Sequence, residues 1–198
     1  MTVTLESEGA GRSSATKARI QAALGLLAGQ PDKTKVLAGV PGADKLAAAT
    51  PADLVLVTFA GHGYVSDLTG DLHIVPSDVA AAAGLSGLGR FDARSISTSE
   101  IDRWLRDIDA GQMALVLDAC HSAAAVSAGY KAGPMGSRGL DQLAYDKGIR
   151  ILAATQAEDT ALEHRKVSSG LLTYALVKEG LVANRADVRP NDGRVDLL

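Results

Sequence analysis

Two short apolar runs, each ending in a residue able to do chemistry, constrain this chain more than any other feature. Leu54–Ala60 (LVLVTFA) and Met113–Leu117 (MALVL) are continuous and rich in Val and Leu. Runs of this length and kind are read as strands buried on both faces, as in a parallel sheet. The first stops at Gly61-His62-Gly63 and the second at Asp118-Ala119-Cys120-His121-Ser122. In open parallel sheets, sites gather at the carboxyl ends of the strands. If the two strands are neighbours, an imidazole and a thiol face one cleft.

The rest of the chain fits around them. Ile149–Ala154 is read as a third buried strand, Asp71–Pro76 as a shorter one after a turn, and Thr2–Ser7 as a short strand. Thr16–Ala28 places Ile20, Ala23, Leu24 and Leu27 at helical spacing. Ser97 and Glu100 form a capping-box signature ahead of Ile101, Trp104, Leu105 and Ile108 on one helical face. Gly170–Leu181 is predicted helical. Residues 29–52 hold three of the six prolines and read as an irregular connection. Residues 79–90, rich in Ala and Gly, read as a surface loop or frayed helix, and 122–139 as a mobile loop. Strands alternating with helices predict an α/β fold with a largely parallel sheet, in one domain with no internal repeat.

Composition removes several function classes. A net charge of −3 argues against a nucleic-acid binder, which would carry a basic stripe. No apolar run reaches the roughly 18–20 residues that span a bilayer, so no membrane role is expected. Met1–Ala10 lacks the basic and apolar regions of a signal peptide, making the cytoplasm the expected location. A single cysteine excludes an internal disulfide framework and argues against a Cys-based zinc site, so no metal is assigned. Any thiol chemistry rests on Cys120.

A thiol near a histidine is what nucleophilic catalysis needs, because the thiolate attacks and requires help to form. Glycines flanking His62 allow a substrate backbone to approach, and the N–H groups of Gly63 and Cys120 are candidates for binding a developing oxyanion. His121 beside the cysteine suggests a metal only in isolation, with no ligand cluster around it. His73 and His164 are read as surface or structural.

At this point Phe59-Ala60-Gly61-His62-Gly63 and Leu117-Asp118-Ala119-Cys120-His121-Ser122 resemble the two signature motifs of the caspase-like cysteine peptidases, above all the metacaspase and bacterial branches. Gly170–Leu181 (GLLTYALVKEGL) resembles the helix that follows the small-subunit strand in bacterial members. The resemblance implies a three-layer α/β sandwich with a mostly parallel sheet, the caspase-haemoglobinase fold, over residues 1–183. Residues 1–138 would be large-subunit-like, 139–183 small-subunit-like, and 184–198 a polar tail. It implies a cysteine endopeptidase acting on peptides or proteins, with Cys120 as nucleophile and His62 as general base. No cofactor is required, although many metacaspases are activated by calcium, for which Asp67, Asp71 and Asp78 are the acidic oxygens at hand. Ala123 replaces the Gly usual after Cys-His-Ser, and Ala60 occupies a position that is often Ser. Thr2–Ala28 resembles the second strand and helix of the fold. An upstream segment or an additional chain is therefore expected to supply the first strand and complete the sheet.

Asp118 lies two residues before Cys120, on the same face of an extended strand. Caspases carry Gln there; the metacaspase-like Asp suits a substrate Arg or Lys, with Arg able to pair bidentately. The alternative for Asp118 is a cap on the following turn. Lys131 and Arg138 in the 122–139 segment are then candidate self-cleavage sites, Arg138 preferred. Two other functions remain open at this stage: a caspase-fold pseudo-peptidase acting as a binding scaffold, and a related CHAT- or separase-like peptidase.

Overall fold

The computed structural model describes residues 1–7, 15–66, 68–69, 71–80, 88–121, 148–154, 171–188, 191–193 and 195, with the backbone alone at 80, 88–90, 120 and 121. The expected loop 122–139, with Lys131 and Arg138, lies outside these residues, as do Asp67, Ala123 and His164.

Thr16 opens helix α1 (Lys17–Leu27), its hydroxyl accepting from Arg19 N–H at 3.3 Å. The proline-rich connection forms two 3-10 turns, Pro31–Leu37 and Ala43–Lys45. Strand β1 (Leu54–Val65) is followed by β2 (Leu72–Ile74), the short helices α2 (Ser77–Ala80) and α3 (Leu88–Arg94), and β3 (Ile96–Ser97). The predicted capping box is present at the start of α4 (Thr98–Arg106), both of its reciprocal bonds made. Strand β4 (Gln112–His121) and β5 (Arg150–Ala153) come next, then α5 (Leu171–Tyr174), which continues as a π-helix over Ala175–Val182. α3 and β3 were not foreseen in the sequence.

Among the described residues the strands form an open five-stranded sheet in the order β3-β2-β1-β4-β5. β1, β4 and β5 pair parallel, whereas β2 pairs antiparallel with both β1 and β3, so β2 alone runs against the other strands and the sheet is mixed. β1 and β4 carry the longest ladder, from Leu54 opposite Gln112 to Gly63 opposite His121. Gly111 leads into β4 against the carbonyl of Pro51, where even a Cβ would collide.

Several expectations are corrected. β1 does not stop at Ala60 but runs through the Gly-His-Gly to Val65, and β4 likewise includes Cys120 and His121. β1 is not buried on both faces: Val55 is 8% exposed but its neighbours Leu54 and Leu56 are 61% and 58% exposed. β5 is only partly buried, with Leu152 on its exposed side. Thr2–Ser7 forms no strand; Val3 and Leu5 pack instead against a small apolar cluster of Ala22, Leu26, Leu37, Val40 and Ala43. Of the two readings of His73, surface or structural, its burial fits the second. Asp187, in the polar tail, is buried, accepting from the N–H groups of Asp192 and Gly193.

The main core lies on one side of the sheet. Val55, Met113, Leu115 and Leu117 point there, packed against Leu24 of α1 and Ile101 and Leu105 of α4. Lys17 bolts this layer together: its ammonium donates to Ser95 O at 2.6 Å, Ala93 O at 3.2 Å and Glu100 Oε2 at 2.8 Å. Glu100 is the same residue that closes the capping box, so one carboxylate fixes both helix starts. On the other side, the C-terminal helix meets β4 through Thr173 and Asp118.

Candidate active site at the ends of beta1 and beta4

Side chains alternate along a strand, so the residues of β1 opposite to its core-facing set are Leu54, Leu56, Thr58, Ala60 and His62. On β4 the corresponding positions are Gln112, Ala114, Val116, Asp118 and Cys120. The register pairs them directly: Ala60 stands opposite Asp118, and His62 opposite Cys120. Neighbouring strands lie about 4.8 Å apart, so the histidine and cysteine positions are adjacent on one face. They sit in the last residues of two parallel strands, inside the strands rather than just after them as the sequence reading had it.

The backbone of His62 is held from the side away from the cysteine. Val75 N–H donates to the His62 carbonyl at 2.9 Å, tying the histidine to the segment after β2. The imidazole itself is on the exposed side of the strand. Gly63 lies inside both ladders, opposite His121 on β4 and Ile74 on β2. A Cβ there would stand 3.1 Å from the Ala119 Cβ and 3.3 Å from the His73 carbonyl. The glycine after the histidine therefore has a packing reason of its own, independent of any part in binding an oxyanion.

Beyond His62, β1 is anchored by a polar cluster that the sequence did not reveal. The Tyr64 hydroxyl donates to Asp92 Oδ1 at 2.7 Å and lies 3.0 Å from Ser95 Oγ; the Ser66 hydroxyl donates to Asp92 Oδ2. Asp92 of α3 thus holds two hydroxyls from the end of one strand. The signal was present, since Tyr64 and Ser66 continue the alternation begun at Leu54, but a strand ended at Ala60 hides it. His73 stacks on Tyr64 with ring centroids 5.1 Å apart. Neither of its ring nitrogens has a hydrogen-bond partner among the described residues. Burial holds the His73 imidazole below its ordinary pKa of 6.5, against the pull of Asp92, Asp71 and Glu100 and with the help of Lys17.

Asp118 is 5% exposed. Its Oδ2 accepts from Thr173 N–H at 2.9 Å and from the Thr173 hydroxyl. Thr173 stands in the first turn of α5, where backbone N–H groups have no partner within the helix. Asp118 therefore bonds the start of a helix 55 positions away; the following turn, which the alternative reading had it capping, lies outside the described residues. Thr173 was inside the segment singled out by resemblance, yet nothing in its local pattern marks it.

Of the acidic residues considered for calcium, Asp71 accepts from Ser99 Oγ and Asp78 from the Lys17 N–H. No group of three His, Cys, Asp or Glu side chains that could hold a metal occurs among the described residues. No helix among them is long and apolar enough to cross a membrane. Comparison of the chain with protein-family models, with curated proteins and with solved structures gives no significant match.

Proposed function

We propose that the chain is a cysteine endopeptidase of the caspase/metacaspase type, cleaving after Arg or Lys. One observation carries the reading: His62 and Cys120, far apart in sequence, stand opposite each other on neighbouring parallel strands. In the proposed reaction His62 takes the thiol proton, and the Cys120 thiolate attacks the scissile carbonyl. The resulting oxyanion is met by the N–H groups of Gly63 and Cys120. Collapse expels the amine, which takes the proton from His62, and leaves a thioester on Cys120. Water, deprotonated by His62, then releases the acid. Asp118, on the same face two residues before the nucleophile, supplies the negative charge for a basic side chain. The chain's own Lys131 and Arg138 are substrates under the same rule.

A scaffold that keeps the fold without turnover is the second reading, favoured by the burial of Asp118 and its capture by Thr173. A fluorogenic peptide panel with Arg, Lys, Asp and Leu at the cleaved position separates the two. The expected outcome is hydrolysis after Arg and Lys, lowered more than about 1000-fold by Cys120→Ala and nearly as much by His62→Ala, with unchanged thermal unfolding. Rates within a few-fold of wild type in either variant, or no hydrolysis by the wild type, would reject the peptidase.

A further inference from the structure

The bonds at Asp118 say more about the cation than its charge does. An ionised carboxylate offers about four acceptor sites, two on each oxygen. Thr173 spends both of its donors on one oxygen: its N–H and its hydroxyl converge on Oδ2. The side chain opposite Asp118 on β1 is Ala60, which has no donor to give. None of the ion pairs formed among the described residues involves Asp118. A largely buried carboxylate with one oxygen saturated and no ion-pair partner among the described residues still has acceptor capacity on Oδ1, and burial of this kind is costly until a donor arrives.

Two consequences follow for the arriving group. Its site of contact is Oδ1, because Oδ2 already holds two hydrogen bonds. Its contact is also single-point. A guanidinium pairs bidentately only when both carboxylate oxygens accept in one plane, whereas an ammonium is a compact charge satisfied by one oxygen. The advantage that Arg ordinarily holds over Lys at a carboxylate is lost when one oxygen is taken.

We infer that Thr173 is a positioning residue that restricts Asp118 to one-point recognition through Oδ1, so that the pocket accepts Lys about as well as Arg. That the cation belongs to a substrate at the cleaved position rests on the peptidase reading above. The prediction departs from the Arg preference that the sequence alone suggests, and the departure comes from a contact between β4 and α5 that no local pattern encodes.

The test is the ratio of kcat/KM for matched Arg and Lys peptides, which a general loss of stability does not move. The wild-type ratio should lie within about threefold of unity. Thr173→Val keeps the shape and the backbone N–H but removes the hydroxyl, freeing a site on Oδ2; the ratio should rise about tenfold in favour of Arg as bidentate pairing becomes available. Thr173→Ser, which retains the hydroxyl, should restore the wild-type ratio. A wild type that prefers Arg more than about tenfold, or a ratio unchanged in Thr173→Val, overturns the inference while leaving the peptidase intact. If no peptide is hydrolysed, the peptidase reading falls, and the same ratio is read from calorimetric binding of the Arg and Lys peptides to the Cys120→Ala protein. A shift toward Arg on Thr173→Val in that background upholds the inference; an unchanged ratio, or no binding of either peptide, overturns it.

Discussion

The two faces of the central sheet are built from the same strands by opposite rules. On the α1/α4 side, Val55, Met113, Leu115 and Leu117 close against Leu24, Ile101 and Leu105 with nothing polar among them. On the other side β1 presents, in order, exposed leucines, a threonine, an alanine and then His62, whereas β4 beside it presents the buried Ala114 and Val116, a buried carboxylate bonded across to a helix, and the Cys120 position. The first face supplies the hydrophobic driving force and fixes the register. The second inherits that register and uses it to bring His62 and Cys120 together. Stability and chemistry are thus separated by the two-residue period of a strand, and substitutions one residue apart in β1 should have unlike consequences.

The largest effect expected from that contrast is on the core face. Leu115 is 2% exposed, with Val57 and Ile151 beside it in the register. Leu115→Ala should lower the unfolding free energy by about 2–5 kcal/mol, the range for a buried leucine truncated to alanine. Urea denaturation measures it, and a loss below about 1 kcal/mol would mean that this face is not the principal core.

A smaller effect, conditional on pH, is expected where the two faces meet β2. His73 is buried against Tyr64 with neither ring nitrogen bonded among the described residues, and its pKa lies below 6.5 in the folded chain. The unfolded chain therefore binds the proton first as pH falls, and stability, fully present above about 6.5, declines below it. His73→Phe, which keeps a ring against Tyr64, should flatten the dependence of the unfolding free energy on pH between 8 and 5.5. An unaltered slope would show that His73 takes no part in it.

The smallest effect belongs to Leu56, next to Val55 but 58% exposed. Leu56→Ala should change the unfolding free energy by no more than about 0.5 kcal/mol, as for other exposed positions. A loss comparable to that of Leu115→Ala would mean that this face is covered in solution and would erase the contrast between the two sides.

The parts legible in advance were those encoded over a few neighbouring residues. Ser97 and Glu100 are three positions apart, and the capping box they announce is made. Ile20, Leu24 and Leu27 form a helical stripe and lie in the core as that stripe requires. The apolar runs marked β1 and β4, but their apolarity did not tell that one side of β1 stays open, because a leucine reads the same whether or not something covers it. Thr2–Ser7 alternates like a strand yet has no ladder partner, and alternation cannot supply one. His73 reads in sequence as either surface or structural; only β2's pairing with β1, which puts it under Tyr64, decides between them.

The sequence by itself determined the types of α1, α4, α5, β1, β2, β4 and β5, the alternation within those strands and the presence of an imidazole and a thiol toward strand ends. Those properties depend on contacts between residues near in the chain, where periods of 3.6 and 2.0 leave a direct trace. Only the tertiary structure decided that β1 and β4 are neighbours in a register setting His62 opposite Cys120, and that Asp118 accepts from Thr173 at the start of α5. Register and capping across elements are fixed by hydrogen bonds between distant segments and by which face finds a partner. No local period records either.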